Sequence, residues 1–214
     1  PRSPFCSLAI PKHGIGGWCV FDPKVEIDDS GLRAASGANG GVFRSPLGIP
    51  FRTTGPGDGR NILFVSQWDN HPREASIPLK GRASRICMLM AGSTNPMQSR
   101  VPNGEVRVSY NDGTCETLVL ENPSNWWPVD QDYYIDRFAF ARTGAPPPRL
   151  DLKSGNLRVM NADQFTSRSQ NIKGGAATVL DLPLDPSKEL ESLTIRAVSN
   201  DVVIGLMSAS LARP

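Results

Sequence analysis

Glu105-Val106-Arg107-Val108-Ser109-Tyr110 alternates polar and apolar side chains, Asn111-Asp112-Gly113 follows, and Cys115-Glu116-Thr117-Leu118-Val119-Leu120 returns. Period-two alternation turns one face of each run to a core, and the Asn-Asp-Gly step tolerates positive φ, so the stretch reads as a β-hairpin. The flanking segments extend the pattern. Ile62-Leu63-Phe64-Val65 reads as a buried strand, and Ile77-Pro78-Leu79 as a short one that its proline confines to an edge or an end. Arg85 to Ala91 is a continuous apolar run of strand length, as expected of a central strand covered on both faces. Ala176 to Leu182 has strand character, Leu190 to Ala197 alternates with period two, and Val202 to Met207 is an apolar final strand after the turn Ser199-Asn200-Asp201.

Short strands joined by turns, without ten-residue helical patterns, predict an all-β antiparallel β-sandwich, with a jelly roll as the specific architecture. The 214 residues carry 20 glycines and 19 prolines without a period, which favours many short strands. A chain of this length can bury a full core as one domain. Residues 1–214 are therefore expected to form a single β-sandwich, with 1–60 a largely irregular wrapping segment and 61–214 the strand-rich body. Within the first 60 residues only Trp18 to Phe21 and Gly48 to Phe51 look like strands. Asn122 to Tyr134 is a loop dense in aromatic residues, and Gly144-Ala145-Pro146-Pro147-Pro148 is a stiff connector.

A formal charge of +2 from 23 basic and 21 acidic residues, interspersed along the chain, gives no phosphate-gathering stripe. Nucleic acid is not an expected partner. No apolar run approaches the roughly 20 residues of a membrane span, and the chain starts at Pro1 as a mature or excised fragment would. The four cysteines include no C-x-x-C pair, which argues against structural zinc. Cys6 and Cys19 could close a short loop in an oxidising compartment, whereas Cys87, within Ile86-Cys87-Met88-Leu89-Met90, reads as a buried thiol.

Several strings form a further pattern: Gly48-Ile49-Pro50-Phe51, Trp68-Asp69-Asn70-His71-Pro72, Ala91 to Arg100, Asn125-Trp126-Trp127-Pro128, Gly174 to Leu184 and Asn200 to Met207. In this order, and covering most of the chain from about Asp28 onward, they resemble the C-terminal galactose-binding-like β-sandwich of large bacterial envelope proteins linked to polysaccharide degradation. The resemblance implies a galactose-binding-like fold and an extracytoplasmic setting: periplasmic, cell-surface or secreted. It also implies that glycosidase-like chemistry belongs to an adjacent catalytic domain, the sandwich packing against it or contacting carbohydrate. The segment from Cys6 to Cys19 has no counterpart in that pattern.

Sugars stack their C–H faces on aromatic rings and match hydroxyls with amide, carboxylate and guanidinium groups. Two clusters have that composition. One is Gln67, Trp68, Asp69, Asn70 and His71 with Asn95, Gln98 and Arg100; the other is Asn125-Trp126-Trp127-Pro128 with Asp130, Tyr133 and Tyr134. Their structural alternatives are tryptophans that plug the sandwich and amides that bond their own backbone. The sequence assigns no catalytic residue. An enzyme reading would take His71 or Tyr133 as base with Arg100 or Asn95 neutralising charge, or pair Asp69 with Asp130 or Asp132 for glycoside hydrolysis. It assigns no metal site or cofactor either, although Asp28 and Asp29, or Asp181 and Asp185, have the hard oxygens that a structural Ca²⁺ takes. The leading expectation is a non-catalytic carbohydrate-binding or ancillary module whose partner is a polysaccharide or oligosaccharide. A small jelly-roll polysaccharide lyase or glycoside hydrolase, and a structural interaction domain, are its alternatives.

Overall fold

The computed structural model describes residues 5–6, 27–53, 55, 60–67, 71–94, 98–133, 145–160 and 170–213. Among these the strands are β1 (Phe5–Cys6), β2 (Val42–Arg44), β3 (Pro50–Arg52), β4 (Ile62–Ser66), β5 (Glu74–Pro78), β6 (Arg85–Thr94), β7 (Pro102–Tyr110), β8 (Cys115–Glu121), β9 (Arg149–Asp151), β10 (Leu157–Arg158), β11 (Ala176–Pro183), β12 (Leu190–Ala197) and β13 (Val202–Ala212). One helix, α1 (Ser30–Ala38), precedes β2. The seven-stranded sheet runs β1-β4-β13-β6-β11-β9-β10, the four-stranded sheet runs β5-β12-β7-β8, and β2 with β3 forms a separate hairpin. The fold is an all-β antiparallel sandwich.

Its pairings are nested. β7 pairs with β8, β6 with β11, β5 with β12 and β4 with β13, all antiparallel. The chain thus behaves as one long hairpin, with β7 and β8 at its tip, rolled over so that successive rungs fall in alternate sheets. The tip is the hairpin expected from sequence, with Ser109 opposite Cys115 and Val106 opposite Leu118. Of its turn residues Gly113 takes the positive φ, 83°, and Asp112 Oδ1 accepts hydrogen bonds from the Thr114 amide and hydroxyl at 2.9 and 2.6 Å. Pro78 lies in the edge strand β5, where a missing N–H interrupts no central ladder.

Two cores flank the seven-stranded sheet, and period-two geometry sorts its side chains between them. Leu63, Val65, Met88, Met90, Leu180, Ile204 and Leu206 meet Val106, Val108, Leu120, Leu193 and Ile195 of the four-stranded sheet. Ile62, Phe64, Leu89, Ala91, Val179, Val203 and Met207 point the other way, into a second core completed by Leu32, Phe43, Phe51, Val129, Leu150 and Leu152. That is why all five residues of β4 are buried. β6 lies between β13 and β11, covered on both faces as its unbroken apolar run required.

The segment expected to be irregular is partly regular. Residues 27–53 contain α1 and the β2–β3 hairpin, and they cover the second core with Leu32, Phe43 and Phe51. Nine residues with two glycines make a marginal helix in isolation, so packing sustains it. At Gly31 a Cβ would stand 1.9 Å from the Lys153 carbonyl oxygen, so a side chain here would lift the helix off the β9–β10 turn. Trp18 to Phe21 and Cys19 lie outside the described residues. Cys87 is half-buried, short of the buried thiol expected; burial raises its pKa, Asp181 adds to the rise, and Arg85 opposes it. Cys87 and Cys115 are free thiols. Among the described residues no helix is long and apolar enough to cross a membrane.

The hairpin tip carries a pH signature. Hydrogen bonds from Thr114 and then from Lys188 hold the Asp112 carboxyl down at about 2, against an ordinary value of 3.8. A carboxylate depressed by folding stabilises the fold above its unfolded pKa, and that contribution is lost as pH falls from about 4 toward about 2. Asp112→Asn, which keeps an acceptor for Thr114 but does not titrate there, should shrink the drop in urea midpoint between pH 5 and pH 2 relative to the parent chain.

Candidate functional site

The loops that carry the candidate residues meet at one end of the sandwich. Gln67, after β4, donates its side-chain amide to the carbonyls of Ala197, the last residue of β12, and of Val198 just beyond it. The Ala197 amide in turn donates to Arg73 at 2.9 Å, closing the β4–β5 loop on the same edge. Asn103 in β7 is fully buried and organises the neighbouring turns. Its Nδ2 donates to the carbonyls of Gln98 and Val101, its Oδ1 accepts from the Thr94 hydroxyl at 2.7 Å, and its carbonyl accepts the amides of Val198 and Ser199. The Arg100 amide, at a left-handed φ of 58°, donates to the Asn122 carbonyl at 2.7 Å. The β4–β5, β6–β7, β8–β9 and β12–β13 connections therefore share one hydrogen-bonded frame. A buried amide suits such a frame because it offers two donors and an acceptor at fixed angles.

Around this frame the described members of the first cluster sit on loops joined through Val198, whose carbonyl accepts from Gln67 and whose amide donates to Asn103. Arg100 is exposed, and Gln98 and His71 are half-buried. The His71 ring centroid lies 5.5 Å from that of Phe64 at 54°, so one side of the imidazole rests on the second core. Trp68, Asp69, Asn70 and Asn95 lie outside the described residues.

The second cluster is placed differently from the expectation of a sugar platform. Trp126 is 0% exposed, Trp127 2% and Tyr133 3%, so none offers a ring face to a ligand. Trp126 fills the inter-sheet core above Gly92, where a Cβ would come within 2.5 Å of the indole. Trp127 and Tyr133 stack at 5.3 Å between centroids and 60°, and Arg149 lies 5.3 Å from the Tyr133 ring centre. The Tyr133 hydroxyl donates to the Pro147 carbonyl at 3.1 Å. Burial and that bond remove Tyr133 as a proton carrier for a polysaccharide in solvent. The physical cause is area: a large aromatic contributes most by covering apolar surface, and here two cores border the loop.

Arg149, which sequence reasoning passed over, holds this loop. The side chain is 1% exposed, and its two terminal nitrogens donate to four main-chain carbonyls, those of Gln131, Pro128, Val129 and Ala176. Burial pulls its pKa down, while Tyr133, Asp132 and Asp130 oppose that shift. The guanidinium suits the task because its fixed fork reaches several carbonyls at once. Asp132, a candidate half of a carboxylate pair, forms an ion pair with Arg158 and accepts the Tyr133 amide; Asp130 is buried beside it. The only signal in the sequence is an arginine directly after three prolines, and that names no acceptor.

The calcium candidates have other partners. Asp28 Oδ1 accepts the Ser30 amide and hydroxyl ahead of α1, which lowers its pKa together with Lys153, 3.4 Å away. Asp29 pairs with Arg33 at 2.9 Å and accepts from Asn61. Asp181 pairs with Arg85, and Asp185 caps Ser187. Among the described residues no group of three or more His, Cys, Asp or Glu side chains could hold a metal ion.

Arg149→Leu should lower unfolding stability by about 3 kcal/mol or more, because four buried carbonyls lose a charged donor. Trp126→Ala should cost about 3–5 kcal/mol through the cavity it leaves. Urea denaturation followed by circular dichroism reads both, and a loss below about 1 kcal/mol for either would contradict the packing described. Compared with known protein families and with curated proteins, the chain matches none of them.

Proposed function

We propose that this chain is a non-catalytic, carbohydrate-binding or ancillary β-sandwich module of an extracytoplasmic bacterial protein that processes polysaccharide. The observation that carries the reading is the convergence of Gln67, His71, Gln98 and Arg100 on one end of the sandwich, over a frame of buried amides. Loops on a rigid β scaffold are where binding side chains concentrate, and amide, imidazole and guanidinium groups match sugar hydroxyls and uronate carboxylates. The nested pairing of eight strands in two sheets supports the finer architecture, a jelly roll of the galactose-binding-like kind. With Trp126 and Trp127 in the core, recognition here is polar and does not rest on stacking by those two rings.

Their burial also favours a second reading, a structural module whose loop end packs against a neighbouring domain. One experiment separates the two. In affinity gels cast with neutral and uronic-acid polysaccharides, the parent chain should be retarded by at least one glycan. His71→Ala and Arg100→Ala should each weaken retardation about tenfold, the loss of one good polar contact, with unchanged melting temperature. No retardation by any glycan, or equal retardation of both variants, would favour the packing role. New reducing ends or unsaturated products would turn the reading to the lyase or hydrolase alternative.

A further inference from the structure

Away from the loop end, β1 continues the seven-stranded sheet past β4, pairing with it at Ile62 and Leu63, and a cleft opens beside that pair. β4 runs toward the loop end and β5 runs back from it, so Ile62 and Leu63 at the start of β4 and Ile77 and Leu79 at and beyond the end of β5 border the opposite part of the sandwich. A cleft of about 570 Å³ lies there, open to solvent. Its apolar lining is Ile62, Leu63, Ile77, Leu79, Leu193, Leu206 and Met207, and its volume falls in the range of small-molecule sites. The β13 ladder slips between Leu206 and Ser208, a bulge opposite β6 that puts consecutive residues Leu206 to Ala209 in the wall. Bulges of this sort re-aim side chains and are over-represented beside sites.

The remaining lining residues give the cleft a sign. Arg52 at the end of β3 and Arg60 ahead of β4 are both exposed, and among the described residues neither pairs with a carboxylate and no acidic side chain lines the cleft. An apolar floor with two guanidinium groups in its lining complements a molecule with an apolar chain and an anionic head. From this charge and shape complementarity we infer that the cleft binds a free single-chain carboxylate amphiphile, a medium- or long-chain fatty acid. The alkyl chain lies between the sheet margins against Leu193 and Leu206, and the carboxylate meets Arg52 and Arg60, which can hold it through two parallel N–H···O bonds. This site is separate from the loop end and does not depend on the glycan reading.

Calorimetric titration of the whole chain with laurate below its micelle concentration tests the inference. Laurate should bind one to one. Octanoate, shorter by four methylenes, should bind on the order of 100-fold more weakly. Arg52→Gln with Arg60→Gln should weaken laurate about tenfold or more and leave 1-dodecanol binding unchanged. Leu79→Trp, at a half-buried position on the margin, should block laurate and dodecanol alike while the melting temperature holds. Four outcomes would overturn the inference: no laurate binding, equal affinity for octanoate, indifference of laurate to the double arginine variant, or binding confined to anionic vesicles with none to monomeric laurate.

Discussion

The seven-stranded sheet is apolar on both faces, and water must be excluded from each. One face meets the four-stranded sheet. The other cannot be left bare, because Ile62, Phe64, Leu89, Val179 and Val203 would expose a contiguous apolar surface, which invites association. The covering material comes from segments with little sandwich character of their own: α1, the β2–β3 hairpin, and Val129, Leu150 and Leu152. Local propensity is weak in these pieces, and the sheet beneath them supplies the stability they lack.

Laying irregular chain on an apolar face raises a second difficulty, since its carbonyls lose water. Arg149 meets it by gathering the carbonyls of Pro128, Val129, Gln131 and Ala176 around one guanidinium. The Val129 amide donates to Gly92 and its carbonyl accepts from Ala176, so the loop bridges β6 and β11 as an extra rung. With its backbone satisfied inward, the loop turns Trp126, Trp127 and Tyr133 inward too. The same requirement at the other connections is met by Asn103 and Gln67, whose amides close the turns and leave Arg100, Gln98 and His71 toward the surface. Polar groups at the loop end and aromatics in the core are two results of one accounting of hydrogen bonds.

Nested pairing has consequences at the margins as well. β4 and β5 belong to different sheets and are consecutive in sequence, so the loop end stitches the sheets together, and a cleft lies toward the other end of the two strands. The bulge in β13 and the basic residues Arg52 and Arg60 lie beside that opening. Asn125 manages a different edge: its side chain accepts from the Glu121 amide and donates to the Val119 carbonyl, occupying part of the outer rim of β8 as a neighbouring strand would.

The sequence by itself determined the strands that alternate or run apolar: the β7–β8 hairpin, β4, β6, β11, β12 and β13, and through them the all-β sandwich. Their period is local, and side-chain direction along a strand follows from it. The proline in β5 narrowed its place to an edge or a strand end, and the strand order met both. Tertiary structure alone decided the rest. A helix at Ser30–Ala38 has too few residues to declare itself, an arginine after three prolines does not name its acceptors, and an Asn-Trp-Trp-Pro string reads alike on a surface or in a core. Each of these depends on which distant segments lie opposite, as Gly92 lies opposite Trp126 and Lys153 opposite Gly31. Such contacts are set by how the long hairpin rolls, and no window of neighbouring residues contains that information.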